Sequence, residues 1–119
     1  MKFISKQEAK EIAEHHVSVW NTHDLEKIMS LYSESIVLAS PLAEKITGTP
    51  SVNGKAAVRD YFGAGIKKYP DLHFSLMGIY VCVNTIVLHM TGANNNSLCE
   101  VLHFNSDGQI EKVMAHYEC

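Results

Sequence analysis

The fold is decided by residues 20–41, which read WNTHDLEKIMSLYSESIVLASP. Asp24 is a good N-cap for a short second helix. The buried face of that helix is predicted to hold Leu25, Ile28, Met29, Leu31 and Tyr32. Residues 33–35 are expected to end the helix, and residues 36–40 then form a short strand. Pro41 closes this strand, because proline cannot continue a hydrogen-bonded ladder. This stretch therefore predicts a corner, a helix and a buried strand in direct succession.

A longer helix precedes this stretch. It is predicted to begin at Ser5, and Glu8, three residues on, completes a capping box. Apolar or ring-bearing side chains then recur with helical spacing at Ala9, Ile12, Ala13, His16, Val17 and Trp20. His16 therefore lies within the apolar face of the first helix.

A third helix follows a segment that the sequence predicts to be a loop. The loop runs from Leu42 to Val52 and is marked by Gly48 and Pro50. The helix begins at Asn53-Gly54 and ends before Pro70, because a residue that precedes proline disfavours helical geometry. Its apolar face is expected to hold Val58, Tyr61, Phe62, Gly65, Ile66 and Tyr69.

From Leu72 to Cys119 the hydrophobic period changes from helical spacing to alternation, which is typical of strands. Turn signals at residues 83–85, 92–96 and 105–108 divide this half into an antiparallel meander. The last strand is expected to run from about Gln109 to Tyr117. Helices first and strands afterwards indicate an α+β fold.

Composition limits the function classes. The 119 residues are 46% apolar and 19% charged, which indicates one globular domain over residues 1–119. The formal net charge is −3 and there is no basic run, so a nucleic-acid or anionic-membrane partner is not expected. No apolar stretch is long enough to span a bilayer, and the N-terminus lacks the apolar core of a signal peptide. We therefore expect a cytoplasmic protein without a membrane partner.

Three motifs together resemble a known family. They are Trp20-Asn21-x-x-Asp24-Leu25-x-x-Ile28 with the strand ending Ser40-Pro41, the helix start Asn53-Gly54-Lys55-Ala56-Ala57-Val58, and the turn Phe104-Asn105-x-Asp107-Gly108-x-Ile110. In this order they resemble the nuclear transport factor 2-like superfamily, and within it the SnoaL-like and ketosteroid isomerase-like branch. The resemblance implies a cone-shaped α+β fold. A curved mixed or antiparallel sheet would carry three helices on one face and enclose a pocket.

The resemblance also implies which residues line that pocket. They are His16, Trp20, Tyr32, Ser40, Phe62, Glu100, Val113, Ala115 and Tyr117. Ser40 stands where ketosteroid isomerases have their aspartate base, and a lone serine hydroxyl cannot take a proton from carbon near neutral pH. Glu100 matches the acid that donates a hydrogen bond to the substrate oxygen, and His16 matches the helix-one tyrosine.

Glu100 and His16 are the candidate catalytic residues. Leu98, Leu102 and Phe104 place Glu100 on an apolar strand face, where an unpaired acid is costly. Imidazole titrates near neutral pH and suits acid–base chemistry. A partly solvated Glu100 and a His16 bonded within the core are the structural alternatives. The predicted substrate-binding residues are Trp20, Tyr32, Ser40, Phe62, Val113, Ala115 and Tyr117.

Two functions remain open at this point. The chain is either a cofactor-independent isomerase, cyclase, dehydratase or hydrolase of a small hydrophobic carbonyl or polyketide-like compound, or a non-catalytic module for ligand binding or dimerisation. The presence of Ser40 in place of the aspartate base favours the non-catalytic module. No cofactor is expected, because the sequence has no Gly-rich phosphate loop and no metal-binding motif.

Three histidines, His89, His103 and His116, fall on the opposite face of neighbouring strands from Glu100. Without a ligand-spaced carboxylate or a His-x-His pair they do not predict a metal site. Val87, Val101 and Met114 alternate with them, and such a mixture suits a subunit interface. We therefore expect a homodimer through the convex face of the sheet.

Overall fold

The computed structural model describes residues 3–119. Its helices are α1 (Lys6–Asn21), α2 (Leu25–Met29), α3 (Pro41–Thr47) and α4 (Lys55–Lys68). Its strands are β1 (Tyr32–Ala39), β2 (Ser51–Asn53), β3 (Ser75–Cys82), β4 (Thr85–Thr91), β5 (Ser97–Phe104) and β6 (Ile110–Tyr117). A turn of 3₁₀ helix, Ala93–Asn95, joins β4 to β5.

The six strands form one curved, unclosed sheet in the order β2-β1-β6-β5-β4-β3. Strands β1 and β6 are parallel, and the other neighbours are antiparallel. This confirms the predicted α+β fold with a mixed sheet. The meander of β3 to β6 and its turns lie where the sequence predicts them, although β3 begins at Ser75 and not at Leu72.

Local capping explains where the first two helices begin. The Ser5 hydroxyl accepts a hydrogen bond from the Glu8 amide, and the Glu8 carboxylate accepts one from the Ser5 amide, which is the predicted capping box. The Asp24 carboxylate accepts hydrogen bonds from the amides of Glu26 and Lys27 at the start of α2. Both helix starts are therefore confirmed.

The second helix is shorter than predicted. It ends at Met29, and Tyr32 is the first residue of β1 and not the last of the helix. Pairing with β6 decides this, because the Ile110 amide donates to the Leu31 carbonyl and Tyr32 lies opposite Ile110. Residues 33–35 belong to the strand, with Ser33 buried.

The segment predicted as a loop contains α3 and β2. Ser40 is the N-cap of α3, and its hydroxyl accepts a hydrogen bond from the Leu42 amide at 3.1 Å. Pro41 occupies the first helical position, where its fixed φ is favourable and its missing N–H costs nothing. Gly48 ends the helix in the left-handed conformation at φ 91°. These three residues turn the chain so that β2 can pair with β1.

The helices leave a space above the middle of the sheet. Helix α1 packs against β3 and β4, and α4 packs against β1 and β2. The sheet face beneath them carries much of the core, including Ile86, Leu88, Met90, Leu102, Phe104 and Val113. No helix within residues 3–119 is long and apolar enough to cross a membrane.

Candidate functional site

A cavity of about 410 Å³ occupies the space between α1, α4 and the inner face of the sheet. Helix α3 and the turn between β4 and β5 contribute exposed residues to its rim, among them Lys45, Asn94 and Asn96. Its volume falls in the range of small-molecule sites in proteins.

The sheet places three cavity residues in one row. Glu100 of β5 pairs with Ala115 of β6. On the other side of β6, Ala39 of β1 pairs with Met114. Ser40 is the next residue after Ala39, so it lies beside Ala115, opposite Glu100. The small Ala115 side chain therefore leaves open space between two polar side chains. A molecule that lies over Ala115 can reach both Ser40 and Glu100.

Glu100 is the acidic side chain of the cavity wall. Its flanking residues on the same strand face, Leu98 and Leu102, are buried, and its own side chain is 18% exposed. Glu100 Oε1 lies 3.7 Å from His16 Nε2 of α1. This distance permits an ion pair but is longer than a hydrogen bond.

His16 is 2% exposed, and neither ring nitrogen has a hydrogen-bond partner among the described residues. A buried imidazole without partners is unfavourable for stability, since each unsatisfied polar atom costs about 1–3 kcal/mol. Among the described residues, the Glu100 carboxylate forms an ion-pair contact with His16. Glu100 therefore has the cavity on one side and an unsatisfied imidazole on the other.

An aromatic cluster forms the apolar wall. The Trp20 ring contacts Phe62 edge-on with centroids 4.7 Å apart and Phe74 with centroids 5.6 Å apart. Trp20 Nε1 donates a hydrogen bond of 3.0 Å to the Tyr32 hydroxyl, which lies behind it. Burial raises the pKa of Tyr32 well above its usual range, and the negative charge of Glu100 raises it further. Tyr32 is therefore a neutral, structural phenol.

Three tyrosines line the cavity, namely Tyr61, Tyr69 and Tyr117. Tyr61 of α4 is buried, and Tyr117 of β6 is 37% exposed. Burial raises the pKa of Tyr61, and it raises the pKa of Tyr117 to about 12. The charge of Glu100 raises the pKa of both phenols further, and the polar Ser40 hydroxyl lowers the pKa of each. Both phenols are protonated, and so are hydrogen-bond donors, at neutral pH.

The model of the SnoaL-like domain family matches residues 13–113. The chain belongs to the SnoaL-like family. The predicted resemblance is thereby confirmed. A search of curated proteins found no match to this SnoaL-like chain.

Solved structures agree with this assignment. A SnoaL-like protein of unknown function from Burkholderia thailandensis is 30% identical, with a TM-score of 0.94 over 99% of this chain and 100% of that one. A protein of unknown function with a cystatin-like fold from Methylobium petroleophilum is 13% identical, with a TM-score of 0.78 over 98% and 80% of the two chains. The epoxide hydrolase/cyclase-like enzyme SalBIII, which has a role in pyran ring formation in the polyether salinomycin, is 16% identical, with a TM-score of 0.77 over 96% and 93%. At 13% and 16% identity, the last two structures show only that the fold is shared.

The structure of this SnoaL-like chain brings most of the predicted site residues to one cavity. Those that line it are Trp20, Ser40, Phe62, Glu100, Ala115 and Tyr117. Tyr32 and Val113 are buried in the core and do not line the cavity. His16 lies behind Glu100 and borders a second, smaller cavity of about 350 Å³. The roles assigned to all these residues stay predictions.

Many of the residues that line the cavity of the SnoaL-like chain were not among those predicted, and Tyr61, Tyr69 and Lys45 are the ones with polar groups that bear on its chemistry. Tyr61 and Tyr69 share a helix face with Phe62, and the helical period that placed all three on the apolar face could have found them. Lys45 was missed because residues 42–52 were predicted to be a loop. Ser40 followed by proline is a helix-start signal, and it would have placed Lys45 on α3.

Within residues 3–119 there is no group of three or more His, Cys, Asp or Glu residues that could hold a metal ion. The polar groups of the described cavity are a carboxyl group, phenols, a serine hydroxyl, amides and the Lys45 ammonium at its rim.

Proposed function

We propose that this protein is a cofactor-independent enzyme that moves a proton on a small hydrophobic carbonyl or polyketide-like compound. The reaction would be an isomerisation, cyclisation, dehydration or hydrolysis. One observation carries the proposal: the Glu100 carboxylate faces a largely apolar cavity and is 3.7 Å from a buried imidazole whose nitrogens have no hydrogen-bond partner among the described residues. Acid–base groups positioned in this way typically accelerate proton transfer about 10²–10⁴-fold.

Glu100 is the residue that would contact the substrate. As a carboxylate it would take a proton from the carbon next to a carbonyl group, and the electron pair of that C–H bond would move to the carbonyl oxygen. The protonated carboxyl would then return a proton to another position. His16 does not line the cavity and would act through Glu100, as a positioning residue that exchanges charge and protons with it.

The cavity also limits the substrate class. Trp20, Phe62 and Phe74 favour a flat apolar molecule, and the volume of about 410 Å³ admits two or three fused rings. The ketone 2-tetralone is a suitable probe, since it is flat and its C1 protons can be removed by a base. We expect the wild-type protein in D₂O to accelerate deuterium incorporation at C1 above the rate in buffer, as measured by NMR.

A specific observation favours the second candidate, a non-catalytic ligand-binding module. Ser40 occupies the position of the family base, and its hydroxyl accepts the Leu42 amide hydrogen bond as the cap of α3. A ligand-binding module would bind 2-tetralone and would leave the exchange rate at that of buffer. Deuterium exchange therefore separates the two candidates.

Replacing His16 with phenylalanine tests the proposed role of the imidazole. We expect the free energy of unfolding to stay equal or rise by about 1 kcal/mol, because the substitution removes two buried unsatisfied nitrogens and keeps an aromatic ring at this position. The exchange rate of 2-tetralone should fall about tenfold.

His15→Phe is the matched control for this substitution, because His15 is the exposed neighbour of His16 on α1. Urea unfolding and NMR exchange would be measured for both variants. An exchange rate of His16→Phe equal to that of the wild type would refute a role for the imidazole.

We further propose a homodimer through the outer face of the sheet. The strand register aligns four side chains in a row across β3, β4, β5 and β6, which we call the outer band: Tyr80, Val87, Val101 and Met114. Tyr80 is 62% exposed. His89 and His116 lie on the row to one side of the band and His103 on the row to the other. An apolar centre with a polar rim is typical of protein interfaces.

Val101→Lys should convert the dimer to a monomer, because it places a charge at the centre of the outer band, where association would bury it. Sedimentation velocity at micromolar concentration measures this change. Ser18→Lys, on the exposed face of α1, is the control and should remain dimeric. A wild-type protein that sediments as a monomer would contradict the proposal.

A further inference from the structure

The rim of the large cavity carries polar groups that the proposed chemistry does not use. Lys45 of α3 lines the cavity, as do Asn94 and Asn96 of the turn between β4 and β5, and all three are exposed. Within residues 3–119, no hydrogen bond or ion pair involves their side chains. Lys45 is also the one lysine or arginine among the described residues that line this cavity. An ammonium group and two amide groups are therefore available to a ligand.

The topology of the sheet brings these groups to one edge. Strand β1 runs parallel to β6, and β5 runs antiparallel to β6. The end of β1 and the start of β5 therefore lie at the same edge of the sheet. Helix α3 follows the end of β1, and the turn that holds Asn94 and Asn96 precedes the start of β5. Lys45 and the two asparagines thus belong to the same rim.

Glu100 lies deeper in the cavity than this rim. Asn96 precedes Glu100 by four positions, which is about 13 Å along an extended chain. Leu98 lies between them, lines the cavity and is buried. Along this line the cavity has an acid at its inner end, an apolar middle and a cation at its rim. A ligand that fills it would have a matching order of groups.

We infer that the ligand is a keto acid, whose carboxylate binds Lys45, Asn94 and Asn96 at the rim while its carbonyl end lies at Glu100. The inference deepens the proposed function and rests on it for the carbonyl group. A carboxylate is costly to bury in the apolar middle of the cavity, whereas at the rim it stays partly hydrated and gains the ammonium as a partner.

The negative charge of Glu100 does not oppose this placement. The rim is about 13 Å from Glu100 along the strand, which exceeds the Debye length of about 8 Å at physiological ionic strength. Repulsion between the two carboxylates is therefore largely screened, while the carboxylate and the ammonium are in contact. Binding at the rim would also fix which end of the ligand faces Glu100.

The test uses two probes of equal size, 2-tetralone-6-carboxylate and the neutral 2-tetralone-6-carboxamide. The substituent of each lies at the far end of the rings from C1. Isothermal titration calorimetry at low ionic strength should show that the wild type binds the carboxylate about three- to fivefold more tightly than the carboxamide, as expected for one exposed ion pair. At about 1 M salt this preference should disappear.

Substitutions at Lys45 locate the source of the preference. Lys45→Gln should bind both probes equally, and Lys45→Glu should prefer the carboxamide. Lys10→Gln is the matched control, because Lys10 is exposed on α1 and does not line the cavity. It has the same change of net charge and should keep the wild-type preference. Lys45 lies in the last turn of α3, so a purely structural role would change urea unfolding and leave the preference unchanged.

The inference is overturned if the wild type binds neither probe, if it binds the carboxylate no more tightly than the carboxamide, or if Lys45→Gln keeps the preference. These outcomes are distinct from failure of the proposed function, since binding is measured without turnover. A protein that prefers the carboxylate through Lys45 but does not accelerate deuterium exchange would retain the rim site and lose the acid–base proposal.

Discussion

Replacing Glu100 with glutamine lowers the rate of deuterium exchange into 2-tetralone by about a hundredfold or more. Glutamine keeps the size of the side chain and its ability to form hydrogen bonds. It has no ionisable oxygen, so it cannot accept the proton from carbon. The neighbouring side chains Leu98, Leu102 and Ala115 are unchanged, and we expect the fold and ketone affinity to remain within about threefold of the wild type.

The matched control is Glu111→Gln. Glu111 lies on β6, which is paired with the strand of Glu100, but it is exposed and does not line the cavity. Loss of the Glu111 charge should leave the exchange rate unchanged. That result would exclude a general effect of net charge on the rate. Exchange by Glu100→Gln at the wild-type rate would remove Glu100 from the chemistry and leave ligand binding as the function of the cavity.

Replacing Trp20 with alanine should lower the free energy of unfolding by about 3–5 kcal/mol, the usual cost of deleting a large buried aromatic side chain. The indole is 9% exposed and contacts both Phe62 and Phe74. The substitution also removes the hydrogen bond that Trp20 Nε1 donates to the buried Tyr32 hydroxyl. The total free energy of unfolding of a natural domain is only about 5–15 kcal/mol, so the expected loss is a large fraction of it.

Denaturation by guanidinium chloride, followed by circular dichroism, measures the loss. Trp20→Phe separates its two causes, because phenylalanine keeps most of the packing and loses the donor. We expect Trp20→Phe to lower the free energy of unfolding by about 1–2 kcal/mol. A loss below about 1 kcal/mol for Trp20→Ala would show that the aromatic wall is not part of the stabilising core.

Features that depend on neighbouring residues could be predicted from the sequence. The caps at Ser5 and Asp24 are local hydrogen bonds, and the alternation in β4 and β5 follows directly from burial of one sheet face. The bounds of β1 could not be predicted in the same way. Ser33 is polar and yet lies buried in a strand, because pairing with β6 overrides local preference.

The candidate site could be predicted only in part, because it too depends on how distant elements pack together. Periodicity places Glu100 on the inner face of the sheet, but it does not show how close a helix side chain comes to it. The placement of His16 behind Glu100, and not in the cavity, depends on how α1 packs on the sheet. Likewise, the placement of Ser40 and Tyr61 at the same cavity depends on how α3 and α4 pack against each other.

The most direct measurement of the central claim is a crystal structure of the protein with 2-tetralone bound at neutral pH. We predict the ketone in the large cavity over Ala115, with its C1 carbon about 3–3.5 Å from a Glu100 carboxylate oxygen, the distance required for proton transfer. A ketone bound in the second cavity, or bound in the large cavity with C1 beyond reach of Glu100, would contradict the proposed chemistry.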